Sequence, residues 1–291
     1  MTSKAKFFIT CAVVFVIGFA LASAGVALGG ISDLTDSAKN PNLAVIENDY
    51  EFASIESTGE IDLRIVGSRY YDEVLKGSEL TGIKSKAGRV IVIYDKDQRV
   101  PEVSADGRKL SINGGSQGIH FNINPFKQNY SPTVIVLCKD EELDSVNVSS
   151  AAGDIDIKGV DFKTSDIGLN AGDIEIKEAS FSNINIGSDS GDVKMDGITS
   201  GGIKVECDAG DIELSGKLEG ITDVYSDAGD IDADISGSLK DYTIDLHTEA
   251  GDILLGKSEI NGGSYSQKGG KDKLKLETDA GDIELDELSQ Y

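Results

Sequence analysis

Beyond the first thirty residues, apolar and polar positions alternate in short runs, and the alternation restarts after a recurring glycine. Apolar side chains stand two and four places after it: Ile155 and Ile157, Ile174 and Ile176, Val193 and Met195, Ile212 and Leu214, Ile253 and Leu255, Ile283 and Leu285. A second run precedes the glycine, with Ile203, Val205, Cys207 and Ala209 on one face of its unit and Ile184, Ile186, Ser188 and Ser190 on the same face of another. A period of two predicts strands with one buried side. Each unit is therefore read as two strands joined by a glycine turn. No stretch after residue 30 shows helical periodicity.

The turn is written nearly the same way each time, as in "SAAGDIDI", "LNAGDIEI", "SDSGDVKM", "CDAGDIEL" and "SDAGDIDA". Its glycines are Gly153, Gly172, Gly191, Gly210 and Gly229, each 19 residues from the last, followed by Gly251 and Gly281 at intervals of 22 and 30. A fixed period near 20 marks a stacked repeat fold. The longer intervals read as loop insertions, and "NGGSYSQKGGKDK" has the composition of one. Glycine suits a turn needing positive φ, the small residue before it suits a crowded inward corner, and the aspartate after it can accept turn amides.

Two arrangements satisfy this parity. In a parallel β-solenoid each unit is a coil, and like residues stack about 4.8 Å apart. In an antiparallel β-meander each Gly-Asp pair is a hairpin turn, but a wide apolar face is left with no helix to cover it. The expectation is an all-β parallel solenoid of coils of about 19 residues, with the meander as the alternative. Residues 146–291 form the regular array. Residues 44–145 show the same grammar diluted, in "STGEIDLRI", "KAGRVIVIYD" and "ADGRKLSIN", and read as degenerate repeats or a β cap. Residues 31–43 read as a linker.

Lys4 and Lys6 precede an uncharged run from Phe7 to Gly30. At 1.5 Å per residue this run is long enough for a hydrocarbon core of about 30 Å, so residues 1–30 are expected to hold a transmembrane helix. The lysine bias places the N-terminus inside and the rest outside the cytoplasmic membrane. The rival is a cleavable signal peptide, with "ALA" or "ASA" as its site, which would leave a secreted protein. Both export the β region.

Composition changes the picture in two ways. The net charge is -24, and residues 151–291 hold 32 Asp and Glu against 12 Lys and Arg, a net of -20. This argues against nucleic acid and admits cations or basic partners. The three cysteines make no disulfide framework: Cys11 lies in the apolar run, while Cys138 and Cys207 fall in strands as small buried side chains.

Stacking would align Asp154, Asp173, Asp192, Asp211, Asp230, Asp252 and Asp282 as a ladder, flanked by Asp189, Asp208, Asp227, Glu249 and Asp279. Carboxylates about 5 Å apart repel, and a hard cation such as Ca²⁺ could bridge them. Turn capping is the default reading, because one acid per coil coordinates sparsely. β-Helix enzymes acting on polysaccharides also cluster aspartates. Here there is no tryptophan, and His120 and His247 have no nucleophile motif beside them. No catalytic residue and no cofactor is assigned.

The stretch "SPTVIVLCKDEELDSVNVSSAAGDIDIKGV", Ser131 to Val160, followed by the A-G-D-I units, resembles the toast-rack family of adhesin-like bacterial envelope proteins. One departure is Cys138, where that family commonly has proline. The resemblance implies a β-strand-repeat fold over about residues 44–291. It also implies a non-catalytic binding or scaffold module at the cell envelope, in adhesion or envelope stress. The partners it implies are the membrane, through the N-terminal helix, and an envelope protein or cell-wall component.

Overall fold

The computed structural model describes residues 43–76, 80, 82–115, 131–140, 142–260 and 263–288. The apolar run at residues 7–30 and His120 lie outside the described residues, and among these no helix is long and apolar enough to cross a membrane.

The alternating runs form two parallel ladders. One holds the strands before the Gly-Asp turn and the other those after it. In the interior, β8 (Leu143–Ser150), β10 (Phe162–Leu169) and β12 (Ser180–Ser188) pair side by side, as do β9 (Ile155–Lys158) and β11 (Ile174–Lys177). Two long strands, β13 (Val193–Cys207) and β14 (Ile212–Ala228), run through both ladders. Partners in register are 19 residues apart, as with Ile155 and Ile174 or Val148 and Ile167. Parallel pairing rules out the meander for these coils. The sheet does not close on itself.

The inward positions of both ladders meet in one apolar core. Ile174, Ile212 and Ile283 are 1%, 0% and 0% exposed. Like residues stack along the axis, as Phe162 does on Phe181 with ring centroids 5.1 Å apart.

At both ends the coils leave sequence order. Beyond β14, the chain forms β15 (Ile231–Ile235) and then β16 (Tyr242–Ala250) with β17 (Ile253–Leu255). It turns back through β18 (Ser258–Ile260) and β19 (Ser264–Gln267), then runs β20 (Asp272–Ala280) and β21 (Ile283–Glu287). The last coil, β20 and β21, lies between β14/β15 and β16/β17. The 22- and 30-residue intervals are thus more than loop insertions: the first steps over a vacant place, and the second carries the chain back to fill it.

The other end mirrors this. β2 (Ser54–Thr58) and β3 (Asp62–Val66) pair with β8 and β9, while the later β6 (Lys109–Asn113) and β7 (Thr133–Leu137) pair outside them. Antiparallel strands line the flanks: β1 (Leu43–Asp49) on β4 (Arg89–Asp95), β4 on β7, and β5 (Glu102–Asp106) on β6. β18 and β19 do the same at the far end. Such guards matter because a bare parallel edge invites pairing with another chain.

A single helical turn, Tyr71–Val74, was not expected from the periodicity. Its Tyr71 joins Leu80 and the outer side chains Val66, Ile91, Ile93, Ile135 and Leu137 in a second small core, and its hydroxyl donates to the Cys138 carbonyl. Tyr70 lies against Gly159 and under Lys158, 4.4 Å from the ring centroid. Glu178 has φ +49° where Gly159 and Gly197 occupy neighbouring coils; it pairs with Arg69 at 3.7 Å and bonds Tyr70, which raises the phenol's pKa.

The turn glycines need correction in their physical reason. Gly153 and Gly191 have φ of +111° and +124°, as expected, but Gly251 and Gly281 are outside the left-handed region. What all seven share is contact: a Cβ on each would overlap a backbone carbonyl of the adjoining coil. These are Ile61 O for Gly153, Gly153 O for Gly172, Gly172 O for Gly191, Gly191 O for Gly210, Gly210 O for Gly229, Gly229 O for Gly281 and Gly281 O for Gly251. The preceding alanines do not occupy an inward corner either. Ala171, Ala250 and Ala280 are exposed, and the buried small residues are Ser188, Cys207, Ser226, Thr248 and Thr278.

Gly210→Ala should therefore cost about 2 kcal/mol or more of unfolding free energy. Gly168→Thr, on an outward strand position where a Cβ meets nothing within 4 Å, should be neutral or add up to about 1 kcal/mol. Denaturant melts of the two variants check this, and equal effects would contradict the carbonyl-contact account.

Candidate functional site

The aspartate that follows each turn glycine opens the second strand, so its side chain leaves the sheet at the rim and reaches toward the next coil. There its Oδ1 accepts the backbone N–H of the equivalent aspartate. Asp173 N donates to Asp154 at 3.0 Å, Asp192 N to Asp173 at 2.9 Å, Asp211 N to Asp192 at 2.9 Å and Asp230 N to Asp211 at 2.9 Å. The line then follows space rather than sequence: Asp282 N donates to Asp230 at 2.7 Å and Asp252 N to Asp282 at 2.8 Å. All seven predicted aspartates are brought together, with Asp282 between Asp230 and Asp252.

The ladder has an eighth member at its other end. Asp154 N donates to Asp62 Oδ1 at 3.1 Å. Asp62 was missed because its unit reads Gly59-Glu60-Ile61-Asp62, two residues longer between glycine and aspartate than the others. The available signal was its place directly before the alternating Leu63 and Ile65, as Asp154 stands before Ile155 and Ile157. Burial pushes the Asp62 carboxyl up to about 6, with the Asp154 charge adding to the rise, while the amide it accepts and Arg64 pull the other way.

Around this line, Asp189, Asp208, Asp227, Asp279 and Glu249 are all exposed. The Tyr225 phenol, between the coils of Glu206 and Glu277, bonds Asp227 and Asp279, and its pKa is raised first by the Asp227 bond, then by burial. Among the described residues no three ligating side chains converge to hold a metal ion. From Asp62 to Asp282 the ladder's Oδ1 atoms accept amides, which is the turn-capping role, and Asp252 ends the line as a donor.

The remaining candidates are dispersed. Burial pushes the Cys138 thiol up to about 12 and, with other contributions, Cys207 up to about 11, so neither is a thiolate at neutral pH. Cys207 fills the place where Thr248 donates to the Gly281 carbonyl at 2.9 Å and Thr278 to Gly229 at 3.0 Å. His247 is exposed on the outer sheet face, with Glu277 and Ser264 beside it in register. No hydrogen bond joins it to either among the described residues. An open cleft of about 430 Å³, lined in part by Lys217, Lys240, Lys271 and Gly269, lies where the chain steps over the last coil.

The raised Asp62 pKa fixes a sign. Between about pH 4 and pH 6 the folded chain holds a proton that the unfolded chain has lost, so stability from this group falls as pH rises through that window. Asp62→Asn keeps an acceptor for Asp154 N and removes the charge. It should stabilise by about 1–2 kcal/mol at pH 8 and by nothing below pH 4. Denaturant midpoints at the two pH values test this, and a pH-independent difference would refute it.

Residues 81–220 match the family model described as Toastrack DUF4097. No curated protein matches the chain. Among solved structures, the chain is similar to a "putative adhesin" from Parabacteroides distasonis ATCC 8503 at 14% identity, covering 83% of this chain and 96% of that one with a TM-score of 0.47. It is similar to a "putative adhesin" from Bacteroides fragilis NCTC 9343 at 11% identity, covering 84% and 97% with a TM-score of 0.45. A "putative cell adhesion protein" from Clostridium sporogenes ATCC 15579 gives 10% identity, 84% and 99% coverage and a TM-score of 0.36. Likeness at those scores transfers no function. The similarity to the toast-rack family model thus spans the stretch from the first cap into the regular coils.

Proposed function

We propose that this protein is an exported, membrane-tethered, non-catalytic binding module of the cell envelope, whose parallel array presents a rigid acidic rim to a partner. The observation that carries the reading is the recurrence of an exposed acid at one place on five adjoining coils: Asp189, Asp208, Asp227, Asp279 and Glu249. Strand spacing sets such acids about 4.8 Å apart. Because the sheet is hydrogen-bonded throughout, they cannot collapse onto a small ligand. A comb of that kind suits an extended partner bearing cationic groups, such as an envelope protein or a cell-wall component. Adhesion is the role proposed, with envelope-stress sensing as the alternative. Tethering rests on the uncharged run from Phe7 to Gly30, which directs the β region outward.

Replacing Asp208, Asp227 and Asp279 together by Asn should lower retention of envelope components in pull-downs by about tenfold while leaving the melting temperature within a few degrees. Unchanged retention would remove the rim from the reading. If the same comb binds Ca²⁺, millimolar calcium should raise the melting temperature relative to EDTA in the native chain and not in the triple variant; identical melts would discard the cation role.

A further inference from the structure

Among the described residues, the strands beyond Asp241 pair with the array through one coil, and Tyr242 adds a side-chain bond to the Leu218 backbone. β20 and β21 pair with β14 and β15 on one side and with β16 and β17 on the other, whereas β16 and β17 make no strand pairing with β14 or β15. β18 and β19 pair only with β17 and β16. Residues 242–287 are therefore six strands that pair among themselves. The covalent link to the body is the single connection 236–241.

The seam has three parts. Ile221–Ala228 lies along Lys273–Ala280, and Ile231–Ile235 lies along Ile283–Glu287. A small lock closes the corner: Glu287 Oε1 accepts the Leu239 N–H at 2.7 Å and the Ser238 hydroxyl at 3.2 Å, and Gln267 Nε2 donates to the Leu239 carbonyl at 2.7 Å. Each ladder contact at the seam repeats one made between interior coils. Val224 faces Leu276 as Val205 faces Val224, and Asp282 donates to Asp230 as Asp230 does to Asp211. The contacts recognise the module and take no account of which chain supplies it.

We propose that residues 242–288 form an exchangeable cap, and that two copies of this chain dimerise by swapping it, each cap seating on the β14/β15 edge of the other. Once lifted, a cap leaves a bare parallel edge that needs the same glycine carbonyls, aspartates and aliphatic rungs in register. A second copy supplies that match. Exchange remakes the ladder contacts and alters only the connection. The connection can extend, since Gly237, at φ +133°, has nothing within 4 Å of where a Cβ would stand. Ile221, 58% exposed beside Lys273, is a large apolar side chain at this seam without cover in the single chain.

The test uses two full-length variants, both carrying Cys11→Ala. One carries Asp223→Cys and the other Lys275→Cys, positions that face each other across the seam on the outer sheet surface. They are mixed, unfolded and refolded together, then treated with a short bis-thiol cross-linker. The control pair is Lys204→Cys with Asp223→Cys, also in register but both on the body side of the connection. Swapping predicts a mixed dimer at least about tenfold more abundant in the first pair and increasing with protein concentration. No mixed dimer, or equal amounts in both pairs, overturns the proposal. Light scattering on the unmodified chain gives a second measurement: refolding at rising concentration should yield a dimer that persists on dilution, and a monomer at every concentration overturns it.

Discussion

At the Gly-Asp turns, a carbonyl oxygen of one coil and the α-carbon of the next turn glycine lie so near each other that a Cβ would stand only 1.9 to 2.5 Å from the oxygen. No side chain fits between them, so wherever the turn recurs the coils must draw together to strand spacing and in one register. Register in turn decides which face of each strand turns inward, because a slip of one residue would send Ile174 and Ile176 to solvent. The apolar core, the stacked phenylalanines Phe162 and Phe181, and the rim of acids are all downstream of that contact.

Bringing coils so close also aligns like charges, and the fold handles this in two ways. At the turns, the carboxylates from Asp62 to Asp282 are each met by an amide of the neighbouring coil, so the array's own backbone offsets part of the repulsion. In one row of the outer face sign alternates between coils, Lys204, Asp223, Lys275 and Asp245 following one another in register, and Lys194 pairs with Glu213, although Glu213, Asp232 and Glu284 stack as like charges. Neither device applies to Asp189, Asp208, Asp227 and Asp279, which remain as the exposed negative rim.

The parity of the chain revealed strands, turns and core, since a two-residue period after a fixed glycine leaves little freedom; Ile212 and Ile283 are buried as that parity requires. The interior coils were legible because nothing there competes with the 19-residue step. The order of coils at the ends was not, since Gly251 and Gly281 carry the same turn and a ladder of like modules has no local mark of which comes next. Asp62 was hidden by two extra residues in its turn. The turn at Tyr71–Val74 was hidden because one helical turn is too short to show a period; its place is set by the outer faces of β4 and β7. The glycine rule itself was read from a conformational preference when the cause is a neighbouring oxygen.

Both termini of the described chain enter the array one coil short of its end, and the outermost coils are excursions from within the sequence. The two finished ends thus depend on segments outside the stretch from Gly153 to Gly229, where the step is uniformly 19 residues. Gain or loss of one such unit by gene duplication or deletion would leave both closures intact and change the length of the rod by one strand spacing, about 4.8 Å. The molecule is in that sense an adjustable ruler, whose reach can vary between relatives without redesign of how it begins or stops.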